Sequence, residues 1–338
     1  QETLGNINDA SQIIGSGSRD ISTEENIAMV NESLNKYYFD FEQQKDAWLK
    51  FSKRLQYIKL DINSNEDWKN INNVSDSVAV VYYLATPPNL YKKISSALND
   101  NNLIKDNCRI VVEKPIGYNL DSSREINDKL SKYFSESQIY RIDHYLGKET
   151  VQNLITLRFA NSLFSSQWNS KSIEYIEITA AESVGIEGRW GYFDGVGQMR
   201  DMVQSHILQL LCLIAMEPPS RLNDEGIRSE KVKVLKALRP ITGDDIADSF
   251  IKAQYTDGQI LDNKKPGYLN EEGANSESTT ETFVCIKTQI ENWRWSGVPF
   301  YVRTGKRMAS KTTQIVVHFK SDGHYIFDRN HEDLEGNT

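Results

Sequence analysis

Nine residues at 141–149, Arg-Ile-Asp-His-Tyr-Leu-Gly-Lys-Glu, concentrate more reactive groups than any other run of the chain. They lie where a strand pattern at 138–142 gives way to a helical one at 147–159. The carboxyl end of a strand beside a helix N-terminus is where anions bind in open α/β sheets. His144, Tyr145 and Lys148 bring three donors to that spot, which makes it a candidate anion site. A capped helix with a satisfied histidine would use the same residues, and spacing alone leaves both readings open. The second centre is His206, which shares its turns with Asp201, Gln204 and Ser205 and is followed at once by the apolar run Ile207 to Leu211, broken by Gln209. An imidazole placed where a helix enters the core can work as a general base. A core histidine bonded to a carbonyl is the plainer alternative.

Two lesser features accompany them. Glu113-Lys114-Pro115 ends a buried strand pattern, where a lysine can meet both a substrate and a nicotinamide, or can simply precede a turn. Pro115 suits a cis bond, which favours tight functional turns. Arg303, Lys306 and Arg307, with Lys311, form a cationic group that fits either phosphate binding or a solvated loop. His318, His324 and His331 show no metal-ligand spacing, so no metal is expected.

The elements that must position these groups divide the chain in two. Over residues 1–140, short apolar strands at 12–15, 55–62, 78–85, 109–112 and 138–142 alternate with helical patterns at 23–38, 89–98 and 122–134. Ser22 or Thr23 is the expected N-cap of the first helix. Continuous apolar strands alternating with helices imply a parallel, doubly wound sheet covered on both faces. Residues 141–338 read as an α+β domain on a mainly antiparallel sheet: helices at 147–159 and 197–216, the latter stopped by Pro218-Pro219, and strands at 173–180, 282–290, 299–303 and 314–319. Residues 257–280, rich in Gly, Asn, Ser and Glu, read as an irregular excursion. A GxGxxG turn is absent; Gly15-Ser16-Gly17-Ser18 follows the first strand but is a weak dinucleotide signal.

Bulk properties narrow the functions. With 338 residues, 39% hydrophobic and 25% charged, the chain is a globular protein of two-domain size. Lys plus Arg number 39 against 47 Asp plus Glu, a net charge of −8, which argues against nucleic-acid binding. Any phosphate ester must therefore meet locally concentrated cations. Cys108, Cys212 and Cys285 are odd in number and widely spaced, which fits a reducing, cytoplasmic setting. The polar residues 1–9 carry no signal-peptide pattern, and the longest apolar run is too short to span a bilayer, so no membrane role is expected.

Taken together, the segments resemble the glucose-6-phosphate dehydrogenase family, in its bacterial branch. The matching text runs through YLATPP at 83–88, VVEKP at 111–115, residues 140–153, VGIEGRWGYFD at 184–194, residues 197–216, EKVKVLK at 230–236 and GVPFY at 297–301. RIDHYLGKE is highly specific to the family; Glu-Lys-Pro is shared with other sugar oxidoreductases. The resemblance implies oxidation of glucose 6-phosphate at C1 to a lactone, the first step of the pentose phosphate pathway, with hydride passing to NADP, and NAD as the other option. It implies His206 as the base and Asp143 as its carboxylate partner. His144, Tyr145 and Lys148 match phosphate-binding positions; Glu182 and Asp201 match carboxylates for the sugar hydroxyls; Lys306 and Lys311 match cations of the pocket. Lys114 matches the lysine between sugar and cofactor, binding both; Pro115, Tyr83, Ser18 and Arg19 match the cofactor side, with Ser18 standing where the family often has an arginine for the adenosine phosphate.

The same comparison implies that the Rossmann-like domain lacks its first β-α unit and its glycine-rich turn, and that the second domain is truncated at its C-terminal side. The family's dimers and tetramers would belong to the full-length protein. Two alternatives stay open on the sequence: a non-catalytic fragment that keeps only a sugar-phosphate site, and another sugar or inositol dehydrogenase sharing Glu-Lys-Pro.

Overall fold

The structure is a computed structural model describing residues 7–37, 41–71, 79–260 and 263–321. Expectations touching residues 1–6, Tyr38, Val78, His324 and His331 lie outside them. The chain separates into two compact units, Gln1–Ile142 and Asp143–Thr338.

The first unit runs β1 (Ile13–Gly17), α1 (Thr23–Tyr37), α2 (Lys45–Ser52), β2 (Leu55–Lys59), α3 (Asn65–Lys69), β3 (Val80–Leu84), α4 (Tyr91–Asp100), β4 (Cys108–Glu113), α5 (Leu120–Ser131) and β5 (Ile139–Ile142). Among the described residues all its pairings are parallel, β1 with β2 and β3 with β4 with β5. Ser22, not Thr23, starts α1: Glu25 N donates to Ser22 Oγ (3.1 Å) and Ser22 N to Glu25 Oε2 (2.7 Å), a reciprocal box that satisfies two orphan donors. Asn119 and Ser122 do the same for α5. Ile110 and Val112, on one face of β4, are fully buried in a core they share with Leu98 of α4 and Leu130 of α5, two helices that pack on each other. The cover expected on both faces is not complete: Val81 and Tyr83 of β3 and Tyr140 and Ile142 of β5 are exposed. Gly15 and Gly17 lie inside β1, so the Gly-Ser run extends the strand instead of following it.

The second unit runs α6 (Glu149–Phe159), α7 (Ser162–Gln167), β6 (Ile173–Ala181), α8 (Trp190–Gln198), a π-helical segment (Met199–Ile207), α9 (Leu208–Ala215), α10 (Asp224–Ala237), α11 (Asp245–Ser249), β7 (Phe250–Ala253), β8 (Gly258–Ile260), β9 (Asn263–Lys265), β10 (Phe283–Gln289), β11 (Pro299–Gly305) and β12 (Thr312–Phe319). Its five-stranded sheet has the order β12-β6-β11-β10-β7. Only β6 and β11 pair in parallel; the other neighbours are antiparallel. Alternate residues Ile176, Ile178, Phe300 and Val302 face Met202, Val203, Ile207, Leu210 and Leu211 of the central helix. Each such side chain contributes roughly 1.5–3 kcal/mol by leaving water.

The single helix expected over 197–216 is three pieces. Gly197 breaks it with φ 73° and ψ 167°, and the following residues wind as a π-helix before α9 resumes. Apolar periodicity cannot reveal a change from i→i+4 to i→i+5 bonding. The far end of α9 is closed by side chains: Trp168 Nε1 donates to Ile214 O (2.8 Å), Trp295 Nε1 to Ala215 O (2.8 Å), and buried Arg158 to Leu213 O and Met216 O. A cation at a helix C-terminus also suits its dipole. The excursion at 257–280 is more ordered than its composition suggests. It holds the β8–β9 hairpin, and its Tyr268 is fully buried, stacked on Trp190 at 4.3 Å.

Candidate active site

Asp143 stands where the 141–149 segment turns. It caps the short 3-10 turn His144–Gly147, accepting Tyr145 N–H at 2.9 Å. The same Oδ1 lies 2.5 Å from His206 Nδ1, so the acid and the imidazole, 63 residues apart in sequence, form a direct pair. His206 is fully buried. Its ring stacks on Tyr145 (4.3 Å, 19°) and meets His144 edge-on at 4.4 Å. With Nδ1 on the carboxylate, Nε2 is left buried and unbonded among the described residues. That is the geometry of an oriented base: one nitrogen held in a fixed tautomer, the other presented for a proton. Burial alone would push the Asp143 carboxyl up; the His206 hydrogen bond and charge, with the Tyr145 N–H, outweigh it and hold Asp143 below the usual carboxylate range.

Beside the pair is a cationic wall. Lys148 Nζ sits 3.5 Å from the Tyr145 ring centre and donates to Thr313 Oγ1 at 3.4 Å. Desolvation, and then the neighbouring Lys311, lower the Lys148 pKa. Two lysines that disfavour each other's charge gain from an arriving dianion. The Tyr145 hydroxyl is raised chiefly by burial; Thr313 hydrogen-bonds to it, and Glu182, Asp143 and Asp201 all lie within electrostatic reach.

On a third side, Lys306 Nζ pairs with Glu182 Oε2 at 2.7 Å, with the lysine side chain almost wholly buried. The turn carrying it is stitched to the end of β6 by Glu182 N to Gly305 O (2.9 Å) and Met308 N to Glu182 O (2.9 Å). Asp201 accepts from Tyr192 OH at 3.4 Å.

The second unit thus gathers Asp143, His144, Tyr145, Lys148, Glu182, Asp201, His206, Lys306 and Lys311 around one polar centre. The cationic run at 303–311 is not one cluster. Arg303 belongs to β11 and donates to Thr179, while Arg307 pairs with Glu271 (3.2 Å) and Glu187 (3.4 Å). Only Lys306 and Lys311 turn toward the site's other groups. Asp143, His144 and His206 could each offer a ligand atom within 4.8 Å of the others, but Asp143 and His206 already bond each other. Thr313 and Tyr192 were missed in the sequence. Thr313 is 165 residues from the lysine it binds and carries no local signal.

The remaining candidates belong to the first unit. Ser18 and Arg19 follow β1; Tyr83 is in β3, its hydroxyl on Glu113; Lys114 and Pro115 follow β4 through a cis peptide bond. All five sit at or just past the carboxyl ends of parallel strands, the edge at which such sheets take nucleotides.

Comparison with known proteins places the chain. Residues 2–153 match the family model "Glucose-6-phosphate dehydrogenase, NAD binding domain", and residues 155–338 match "Glucose-6-phosphate dehydrogenase, C-terminal domain". The chain is 46% identical to the glucose-6-phosphate 1-dehydrogenase of Dickeya dadantii (strain 3937), over 99% of this chain and 69% of that one. It is 45% identical to that of Rhizobium meliloti (strain 1021), over 96% and 67%. Among solved structures, glucose-6-phosphate 1-dehydrogenase from Mycobacterium avium superposes with a TM-score of 0.85 at 33% identity, covering 99% of this chain and 71% of that one. A glucose-6-phosphate dehydrogenase in complex with its substrate glucose-6-phosphate gives 0.86 at 34%, covering 96% and 67%. The paired imidazole and carboxylate, the lysine wall and both domain matches agree, and the chain belongs to the glucose-6-phosphate dehydrogenase family.

Proposed function

We propose that the protein oxidises glucose 6-phosphate at C1 to 6-phosphogluconolactone with NADP as acceptor. The observation that carries the reading is the buried His206–Asp143 pair beside the Lys148–Lys311 wall. His206 Nε2 takes the proton of the C1 hydroxyl, and Asp143 stabilises the imidazolium as it forms. The C1–H bond breaks as C1=O forms, and the hydride leaves for the nicotinamide, which supplies the oxidising power when bound. His144, Tyr145, Lys148 and Lys311 hold the phosphate. Binding energy from that remote dianion fixes C1 against His206. Glu182, Asp201 and Lys306 bind the sugar hydroxyls, with Lys306 and Glu182 orienting each other.

On the cofactor side, Ser18 and Arg19 offer a hydroxyl and an exposed guanidinium suited to an adenosine phosphate. Tyr83, Lys114 and Pro115 line the strand ends nearer the nicotinamide. We read the enzyme as a cytoplasmic homo-dimer or tetramer. Three free cysteines support a reducing compartment, and no described helix is long and apolar enough to cross a membrane.

The test is the appearance of reduced nicotinamide absorbance with glucose 6-phosphate and NADP, run beside unphosphorylated glucose. Turnover that requires the phosphate is expected; equal turnover of glucose would sink the reading. Calorimetry that finds sugar-phosphate binding but no NADP binding would mark this polypeptide as a non-catalytic fragment.

A further inference from the structure

Nine residues wound as a π-helix carry both Asp201 and His206. Such winding is rare, less stable than an α-helix, and concentrated at functional sites. If the same residues relaxed to i→i+4 bonding, each would turn further about the axis, and His206 would swing away from Asp143 by a large part of a turn. Something outside the helix must fix where the π-winding begins, because no side chain of the segment's own N-cap, Gln198, bonds back to it.

Glu281 is placed to do this. Its Oε1 accepts Met199 N–H at 3.0 Å, and its backbone carbonyl accepts Gln198 N–H at 3.0 Å, satisfying two consecutive donors at the segment's start. The chain comes within reach of Glu281 only because of Gly197. That residue has positive φ, and a Cβ there would lie 2.5 Å from Glu281 Oε1. The buried Gln198 side chain adds a second tie, Nε2 to Thr304 Oγ1 at 2.8 Å, with Thr304 donating in turn to Ala180 O at 2.7 Å. The residue after Glu281 holds the opposite wall of the site: Thr282 O accepts Lys306 N–H at 2.9 Å. One dipeptide, Glu281-Thr282, therefore spans the helix that bears the base and the turn that bears the buried ammonium.

We propose that Glu281 is a positioning residue for the reaction, acting as an external cap that holds the π-register and so keeps His206 and Asp201 facing the pocket. This inference rests on the function proposed above. What the carboxylate supplies is an acceptor at a set distance, so glutamine replaces it and a shorter or apolar side chain does not.

The experiment compares Glu281→Gln, Glu281→Asp and Glu281→Ala in the full-length enzyme by steady-state kinetics, with melting temperatures measured in parallel. The expected result is a fall in kcat of about tenfold for Glu281→Ala and Glu281→Asp, the upper end of what losing one ordinary hydrogen bond does. KM for NADP stays within twofold, and Glu281→Gln stays within about threefold of the parent. Glu281→Ala turning over within twofold of the parent overturns the proposal. So does a Glu281→Gln loss as deep as that of Glu281→Ala, which would make charge and not geometry the agent. A lowered melting temperature with unchanged kcat per folded molecule reduces Glu281 to a structural role and also overturns it. A parent enzyme inactive on glucose 6-phosphate counts against the function itself, a separate outcome.

Discussion

The two ends of the site are built to opposite rules. At the base end, His206 is fully buried, its Nδ1 is committed to Asp143, and aromatic rings hold it on two sides. At the anion end, Lys148 and Lys311 sit close enough for one to lower the other's pKa, and Lys148 leans on a tyrosine face and an exposed threonine. The base end is complete before substrate arrives. The anion end is electrostatically unfinished, and a phosphate completes it. Substitutions at the first should therefore be felt in kcat, and at the second in KM.

The sharpest way to break this contrast is His206→Asn. It should lower kcat by about 10²–10⁴-fold with little change in KM, the loss of a general base; near-normal turnover would remove His206 from the role. Asp143→Asn keeps the base but loses its tautomer and its stabilised cation, and kcat should fall by roughly 10²-fold. If KM moved and kcat did not, Asp143 would belong to the anion end instead. Lys148→Ala should raise KM for the sugar phosphate by about 10–100-fold, a charge-assisted bond's worth, and leave kcat nearly intact. Thr313→Val should raise the same KM by about 2–10-fold, as for a neutral hydrogen bond. An unchanged value would leave Thr313 as mere strand.

Asp143 offers a last, smaller test in stability. Its folded carboxyl lies below the ordinary value of 3.8, so its contribution is full above that value and is lost as pH falls through the folded one. The stability gap between parent and Asp143→Asn, measured by denaturant titration, should be open at neutral pH and narrow in acid below the usual carboxylate range. A gap independent of pH would mean that packing, not charge, sets it.

Much of the fold was legible because it rests on local pattern. In β4 the three consecutive apolar residues Ile110, Val111 and Val112 are all buried, and such a run of β-branched residues is recognisable as a strand without distant partners. What escaped was set at a distance. The π-winding at 199–207 depends on Glu281, some eighty residues on, and on a glycine whose positive φ is invisible in a one-letter string. α10, at 224–237, was not read as a helix, since only Glu230 and Val234 of its fourteen residues are buried and its apolar stripe is thin. The site divides the same way. Residues 141–149 suggested an anion site or a capped helix by their own chemistry, whereas pairing His206 with Asp143 came from family resemblance and not from spacing.

The helix that carries the base is pinned at both extremities: Glu281 and Gly197 at one, two indoles and a buried guanidinium at the other. A rod fastened in this manner opens only when the whole unit opens. Its amides between Leu210 and Ala215, all buried, belong among the slowest in the protein to trade hydrogen with solvent. Whatever breathing admits the sugar must then be drawn from the exposed lysine side of the cleft.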